Sequence, residues 1–175
     1  MKPVDIIDTS VLCVWLDVPG MNRCGAGSTA WNTERALAEM DERSAREQGR
    51  TMVLPVASII ETGNHIAQVA GGLRWPVIQR FATLLRRVAA ADSPWAAFSD
   101  QSALWAPERL ADLADRWPEL AKRGVGVGDA TIVAVAEHYA NMGFAVRILT
   151  GDAELHATAP SPPVTRERRS RRRRR

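Results

Sequence analysis

Apolar residues fall into short runs and helical stripes that alternate along the chain. Val4 to Ile7 is a β-branched run that breaks into Asp8-Thr9-Ser10 and resumes as VLCVWL, predicting a strand that feeds a helix with an acid at the strand's carboxyl end. The Pro- and Gly-containing stretch DVPGMNRCGAGST reads as a loop. NTERALAEMDERSAREQG predicts one polar helix whose narrow apolar stripe includes Leu37 and Met40, ending at Gly49. TMVLPVA predicts a second strand and SIIETGNHIAQVA the helix after it. Val77, Ile78, Phe81, Leu84, Leu85 and Val88 follow helical spacing, with Arg80, Arg86 and Arg87 on the other side. PWAAFSD has the composition of a weak third strand. Leu110, Leu113, Ala114 and Trp117 mark a helix that Pro118 is expected to interrupt or restart. GVGDATIVAVAEHYANMG predicts a buried helix ending at Gly143, and FAVRILTGD a strand that again runs into an acid.

This alternation, without internal repeats, predicts an α/β domain with a parallel sheet covered on both faces. The length of 175 residues fits one domain. No apolar run approaches the roughly 18 to 20 residues of a membrane span, and MKPVDIIDTS places acids where a signal sequence is apolar. A cytoplasmic protein with no membrane partner is expected. Cys13 and Cys24 have neither metal-binding spacing nor disulfide density, and read as reduced structural thiols.

Charge divides the chain. Residues 166–175 hold eight arginines and one glutamate, which leaves 15 basic against 19 acidic groups and a net charge of −4 for the remainder. The expected organisation is a folded domain over residues 1–159 and a disordered Pro/Arg-rich tail over 160–175 that attracts polyanions.

Four acids stand at the ends of elements: Asp8 after the first strand, Glu61 in the first turn of the helix after the second strand, Asp129 at the start of the buried helix, and Asp152 after RILT. Right-handed crossovers place all strand carboxyl ends and the following helix starts at one sheet edge, where the four carboxylates can converge. Each also has a plainer use. Ser58 and Glu61 match a capping box, Asp129 can cap after GVG, and Asp152 can cap a short turn. Gathered together, the acids repel unless a cation neutralises them, and their oxygens suit Mg²⁺ or Mn²⁺. His65, His138 and His156 lack zinc-site spacing and read as surface or structural residues.

DTSVL, the lone Glu61 in the helix after LPVAS, GVGDATIVAVAEHY and ILTGD resemble, in that order, the four acidic motifs of PIN-domain nucleases, over residues 4 to 155. The resemblance implies a PIN-like three-layer α/β/α sandwich with a central parallel sheet. It further implies a Mg²⁺- or Mn²⁺-dependent endoribonuclease with RNA as substrate, in many bacterial members a VapC-type toxin held by a cognate antitoxin. Asp8, Glu61, Asp129 and Asp152 then form the catalytic, metal-binding set, with Thr9, Ser10 and Thr150 as supporting hydroxyls, and Asp5 lies outside it on the other face of the strand. The chain departs from compact toxins in its wider spacing between the first three acids, in Leu155 where an aromatic is expected, and in HATAPSPPV, which offers no final strand.

Two other site chemistries fit the residues less well. A haloacid-dehalogenase-type phosphatase requires Asp-x-Asp, whereas this chain has Asp5-x-x-Asp8, and Gly124-x-Gly126-x-Gly128 lacks the Gly-Lys-Ser/Thr of a phosphate loop. A freestanding RNA-processing nuclease, or a non-catalytic RNA-binding protein using the Arg-rich tail, are the remaining alternatives. For a nuclease, Arg80, Arg86, Arg87 or the tail are expected to hold the RNA backbone. The narrow stripe of the polar helix and Trp31 in the loop before it predict an incompletely covered surface for an antitoxin peptide or a homodimer.

Overall fold

The computed structural model describes residues 1–160. The tail expected from residue 160 onward, with its arginine tract, therefore lies outside the described residues apart from Pro160 itself. In chain order the elements are β1 (Pro3–Ile7), α1 (Thr9–Trp15), β2 (Arg23–Cys24), β3 (Trp31–Asn32), α2 (Thr33–Glu39), α3 (Glu42–Glu47), β4 (Thr51–Val53), α4 (Val56–Gln68), α5 (Arg74–Ala89), α6 (Pro107–Ala121), α7 (Val127–Asn141), β5 (Ala145–Leu149) and α8 (Ala153–Ala157). Short 3₁₀ segments occupy Gly27–Thr29, Gly71–Leu73 and Phe98–Trp105.

The chain is α/β, with a three-stranded parallel sheet in the order β4-β1-β5 and a separate antiparallel ribbon of β2 and β3. Alternation along β1 feeds two cores. Val4 and Ile6 join Val53, Ile132, Val135, Tyr139, Val146 and Ile148 under α7, while Ile7 joins Val11, Leu12, Met52, Ile66, Leu84 and Val88 under α1, α4 and α5. Helices on both faces make the arrangement compatible with three layers. Each fully buried aliphatic side chain contributes about 1.5–3 kcal/mol, so the two clusters, more than intrinsic propensity, hold the short elements in place.

The polar segment forms two helices where one was expected. Asn32 accepts the Arg35 N–H at 2.8 Å and Asp41 accepts the Ser44 N–H at 2.6 Å, so a second N-cap restarts the chain just after Met40. Met40 is fully buried but Leu37 is exposed, so the two do not share a covered stripe. The third strand expected in PWAAFSD is absent. Trp95 makes only an isolated bridge to Met52, whose N–H donates to Pro94 O and whose O accepts from Ala96 N, and the chain then turns into the 3₁₀ segment. The helix α6 begins with Pro107 at its first position and runs through Pro118 without the expected break.

Asp5 is fully buried between Arg50 (2.6 Å) and Arg147 (2.8 Å), the latter directly opposite it on β5. A carboxylate at such a site is tolerable only when paired. Among the described residues no helix is long and apolar enough to cross a membrane.

Candidate active site

The first acid is built into the junction of β1 and α1. Asp8 is 5% exposed and caps α1, accepting from the backbone N–H groups of Thr9 (2.6 Å) and Ser10 (3.3 Å). Two hydroxyls converge on the same carboxylate, Ser10 Oγ at 2.5 Å and Thr150 Oγ1 at 2.9 Å. The Asp8 N–H donates to Leu149 O at 3.0 Å, which extends the β1–β5 ladder to the acid itself.

Glu61 reaches the same place from α4. It accepts from Thr9 Oγ1 at 2.8 Å, while Ser58 Oγ donates to Ile7 O at 2.8 Å and pins the helix to the end of β1. The capping box expected of Ser58 and Glu61 does not form. The helix starts two residues earlier, after Pro55, so Glu61 sits in its second turn and Ser58 is spent on the strand. On the facing helix, a Cβ added to Gly128 would meet Glu61 Oε1 at 2.2 Å, so the glycine is what lets the first turn of α7 close on this acid. In the sequence, the only signal for this role is the absence of a side chain one residue before Asp129.

Asp129 occupies the first turn of α7, whose N-cap is Gly126, so its expected capping role is filled by backbone alone. Burial raises its pKa first, then the charge of Asp8; Glu61 and Asp152 add to the rise and a hydrogen bond with the Gly126 backbone opposes it. Asp152 is exposed and caps α8, accepting from the N–H groups of Glu154 (2.7 Å) and Leu155 (2.9 Å), and its own N–H donates to Thr150 Oγ1 at 2.9 Å. Thr150 thus joins Asp8 to Asp152, and Ser10 Oγ accepts from the Gly151 N–H at 3.0 Å.

The structure therefore brings Asp8, Thr9, Ser10, Glu61 and Thr150 into direct contact, and sets Asp129 and Asp152 where their charges act on one another. Among the described residues none of these four acids is paired with a Lys or Arg. Also among them, no three Asp, Glu, His or Cys side chains are grouped closely enough to enclose a metal ion as they stand. The donor chemistry nonetheless fits a hard divalent cation: carboxylates and hydroxyls, with a raised Asp129 pKa that added positive charge would relieve. The Cys24 thiol, beside Ser10, is pushed up by burial and by Asp8, which keeps it a neutral thiol and not a thiolate ligand.

A groove of about 500 Å³ opens from Asp129 and Asp152 between α6, α7 and α8, with Arg123 and the Arg116–Glu137 pair on its wall. Arg80 and Arg87 serve elsewhere: Arg80 donates to Leu16 O (2.9 Å) and Asp17 O (3.1 Å), and Arg87 pairs with Glu42. Trp31, expected to lack cover, is 4% exposed and donates to Thr150 O at 2.9 Å. Comparison with protein-family models, with curated proteins and with solved structures returned no match.

Proposed function

We propose that the chain is a divalent-cation-dependent endoribonuclease on a PIN-like three-layer fold. The observation that carries this reading is the convergence of Asp8, Glu61 and Asp129 from β1, α4 and α7 with no basic side chain among the described residues to neutralise them. Asp8 and Asp129 would hold Mg²⁺ or Mn²⁺, with Glu61 and Asp152 completing the acidic set. Such a cation supplies a water of lowered pKa and offsets charge on phosphoryl oxygens. Thr9, Ser10 and Thr150 hold the carboxylates in orientation, and the groove beside Asp129 accepts a single strand whose backbone meets Arg123.

The biological form of this reading is a toxin restrained by a cognate antitoxin, the alternative being a freestanding RNA-processing nuclease. Exposed Leu37 on α2 and Trp75 on α5 are surfaces such a partner would cover. Co-expression with the adjacent reading frame separates the two: the toxin reading requires co-purification and suppressed cleavage. A non-catalytic reading draws on the caps made by Asp8 and Asp152. Manganese titration followed by electron paramagnetic resonance tests the nuclease reading against it. A saturable site lost in Asp129→Asn supports the nuclease, and no binding at millimolar Mn²⁺ overturns it.

A further inference from the structure

The helix α7 is apolar on most of its faces, and only one of them is fully covered. Ile132, Val135, Ala136 and Tyr139 are buried over the sheet, whereas Val133 and Ala134 on the opposite side are half-buried beneath α6. A helix that is apolar all round requires cover on every side. The cover α6 supplies is thin: it buries none of its own residues, and Leu110 and Trp117 stay exposed. Small residues, Ala130 and Ala134, are what α7 presents to it, and a hollow of about 230 Å³ remains between the two helices. Leu113 of α6 and Trp105 of the preceding 3₁₀ segment complete its apolar wall. The wide interval between Glu61 and Asp129 is thus spent in part on building this hollow.

The hollow adjoins the groove that opens from Asp129 and Asp152, and the two share Arg116, Leu120, Val133 and Glu137 as wall. Asp129, Val133 and Glu137 recur every four residues along one side of α7, so Glu137 stands about 12 Å along the helix from the acid. At this junction Arg116 donates to both Glu137 oxygens at 3.3 Å, long for charge-assisted bonds, and both side chains are partly exposed. A fork of donors and a carboxylate acceptor therefore stand at the mouth of an apolar pocket. We propose, resting on the nuclease reading for the chemical nature of the strand, that this pocket takes one unpaired purine base of the RNA cut at Asp129. Continuity with the acid-site groove favours that strand as occupant. A cavity of about 150 Å³ holds a single benzene ring, so this larger hollow has room for a fused two-ring base. Trp105 and Leu113 offer apolar surface to the ring faces, and stacking of this kind accepts any base that fits. The edge of a purine carries the N7 acceptor that an arginine fork recognises, together with polar hydrogens that a carboxylate accepts. Trp105, Arg116 and Glu137 are then specificity residues that act on binding and touch no reacting atom.

Fluorescence anisotropy tests this with a labelled octauridylate and with the same oligomer carrying one adenine or guanine at each position in turn. The full chain is compared with Ala134→Leu, which fills the hollow, and Trp105→Ala, which removes its exposed wall, all at low salt in EDTA so that nothing is cleaved. In the full chain a purine at one position should tighten binding at least fivefold. In both variants, shown by circular dichroism to be folded, the gain should fall below twofold while affinity for octauridylate itself is unchanged. Should Ala134→Leu fail to fold, Trp105→Ala decides alone. Binding of every oligomer with equal affinity by the full chain overturns the base pocket and leaves the RNA reading standing. A purine preference that survives in the folded variants also overturns it, by placing the base elsewhere. Failure of every oligomer to bind overturns the pocket and the RNA reading together.

Discussion

The Thr150 hydroxyl donates to the Asp8 carboxylate at 2.9 Å across 142 positions of sequence, and its oxygen accepts the Asp152 N–H at the same distance. One hydroxyl thus fixes the end of β5 to the end of β1 and aligns two of the four acids. Removing it in Thr150→Val keeps the shape but leaves a buried carboxylate short of a donor and the Asp152 N–H without its acceptor. A loss of about 1–3 kcal/mol is expected in urea unfolding. Unchanged stability would mean that the contact is idle.

Asp8 and Asp129 are expected to respond in opposite ways to loss of charge. Asp8 is held by four donors, so Asp8→Ala removes a helix cap and strands two hydroxyls, for a loss of about 1–3 kcal/mol. Asp129 has its pKa raised above the ordinary 3.8, so in the intervening window the native chain binds more protons than the unfolded one, and stability falls as pH rises through it. Asp129→Asn is therefore predicted to melt higher than the parent at pH 7 without divalent cation, the gap closing as pH falls below the ordinary aspartate range. Thermal unfolding of both variants across pH 3 to 8 checks the sign; a gap that widens toward acid contradicts it.

Gly128→Ala places a methyl group against Glu61 Oε1. The alanine gains about 1 kcal/mol of helix propensity, and the displaced atom is the end of a flexible side chain, so global stability should move by no more than about 1 kcal/mol. Affinity for Mn²⁺ should nevertheless drop severalfold, because Glu61 is driven off Thr9. Equal affinity in the two proteins would remove Glu61 from the site.

Arg50→Met tests the buried ion cluster on the other side of β1. Asp5 keeps only the half-exposed Arg147, and a loss of about 3–5 kcal/mol is expected from denaturant midpoints. Cleavage per folded molecule should be unchanged, since this cluster faces away from Asp8.

The strands β1 and β5, the helices α5 and α7, and the candidate acids were legible because each rests on local pattern: β-branched runs, helical spacing, and an acid where an element ends. The break at Met40 was not, because it depends on Asp41 acting as a cap for Ser44, and Asp41 in a run of Glu and Arg looks like any solvated charge. The false strand near Trp95 has β-like composition, yet Pro94 and the turn after Ala96 limit it to a single bridge. Among the site residues, the four acids could be read from position, whereas Gly128 and the role of Thr150 as a joint required knowing which helix faces which strand. Arg80 and Arg87 looked like free cations on a polar helix face; their carbonyl and Glu42 partners come from segments far off in sequence.

In the proposed nuclease, Asp129 acts with Asp8 and Glu61 in metal-dependent cleavage of RNA. The most direct test is hydrolysis of an end-labelled single-stranded RNA by the full chain and by Asp129→Asn, each with Mg²⁺ or Mn²⁺ and with EDTA, after circular dichroism has shown both to be folded. The expected result is cleavage by the parent chain that EDTA abolishes, and a loss of at least a hundredfold in the variant. Cleavage by Asp129→Asn at the parental rate, or no cleavage by the folded parent chain with either cation, would contradict it.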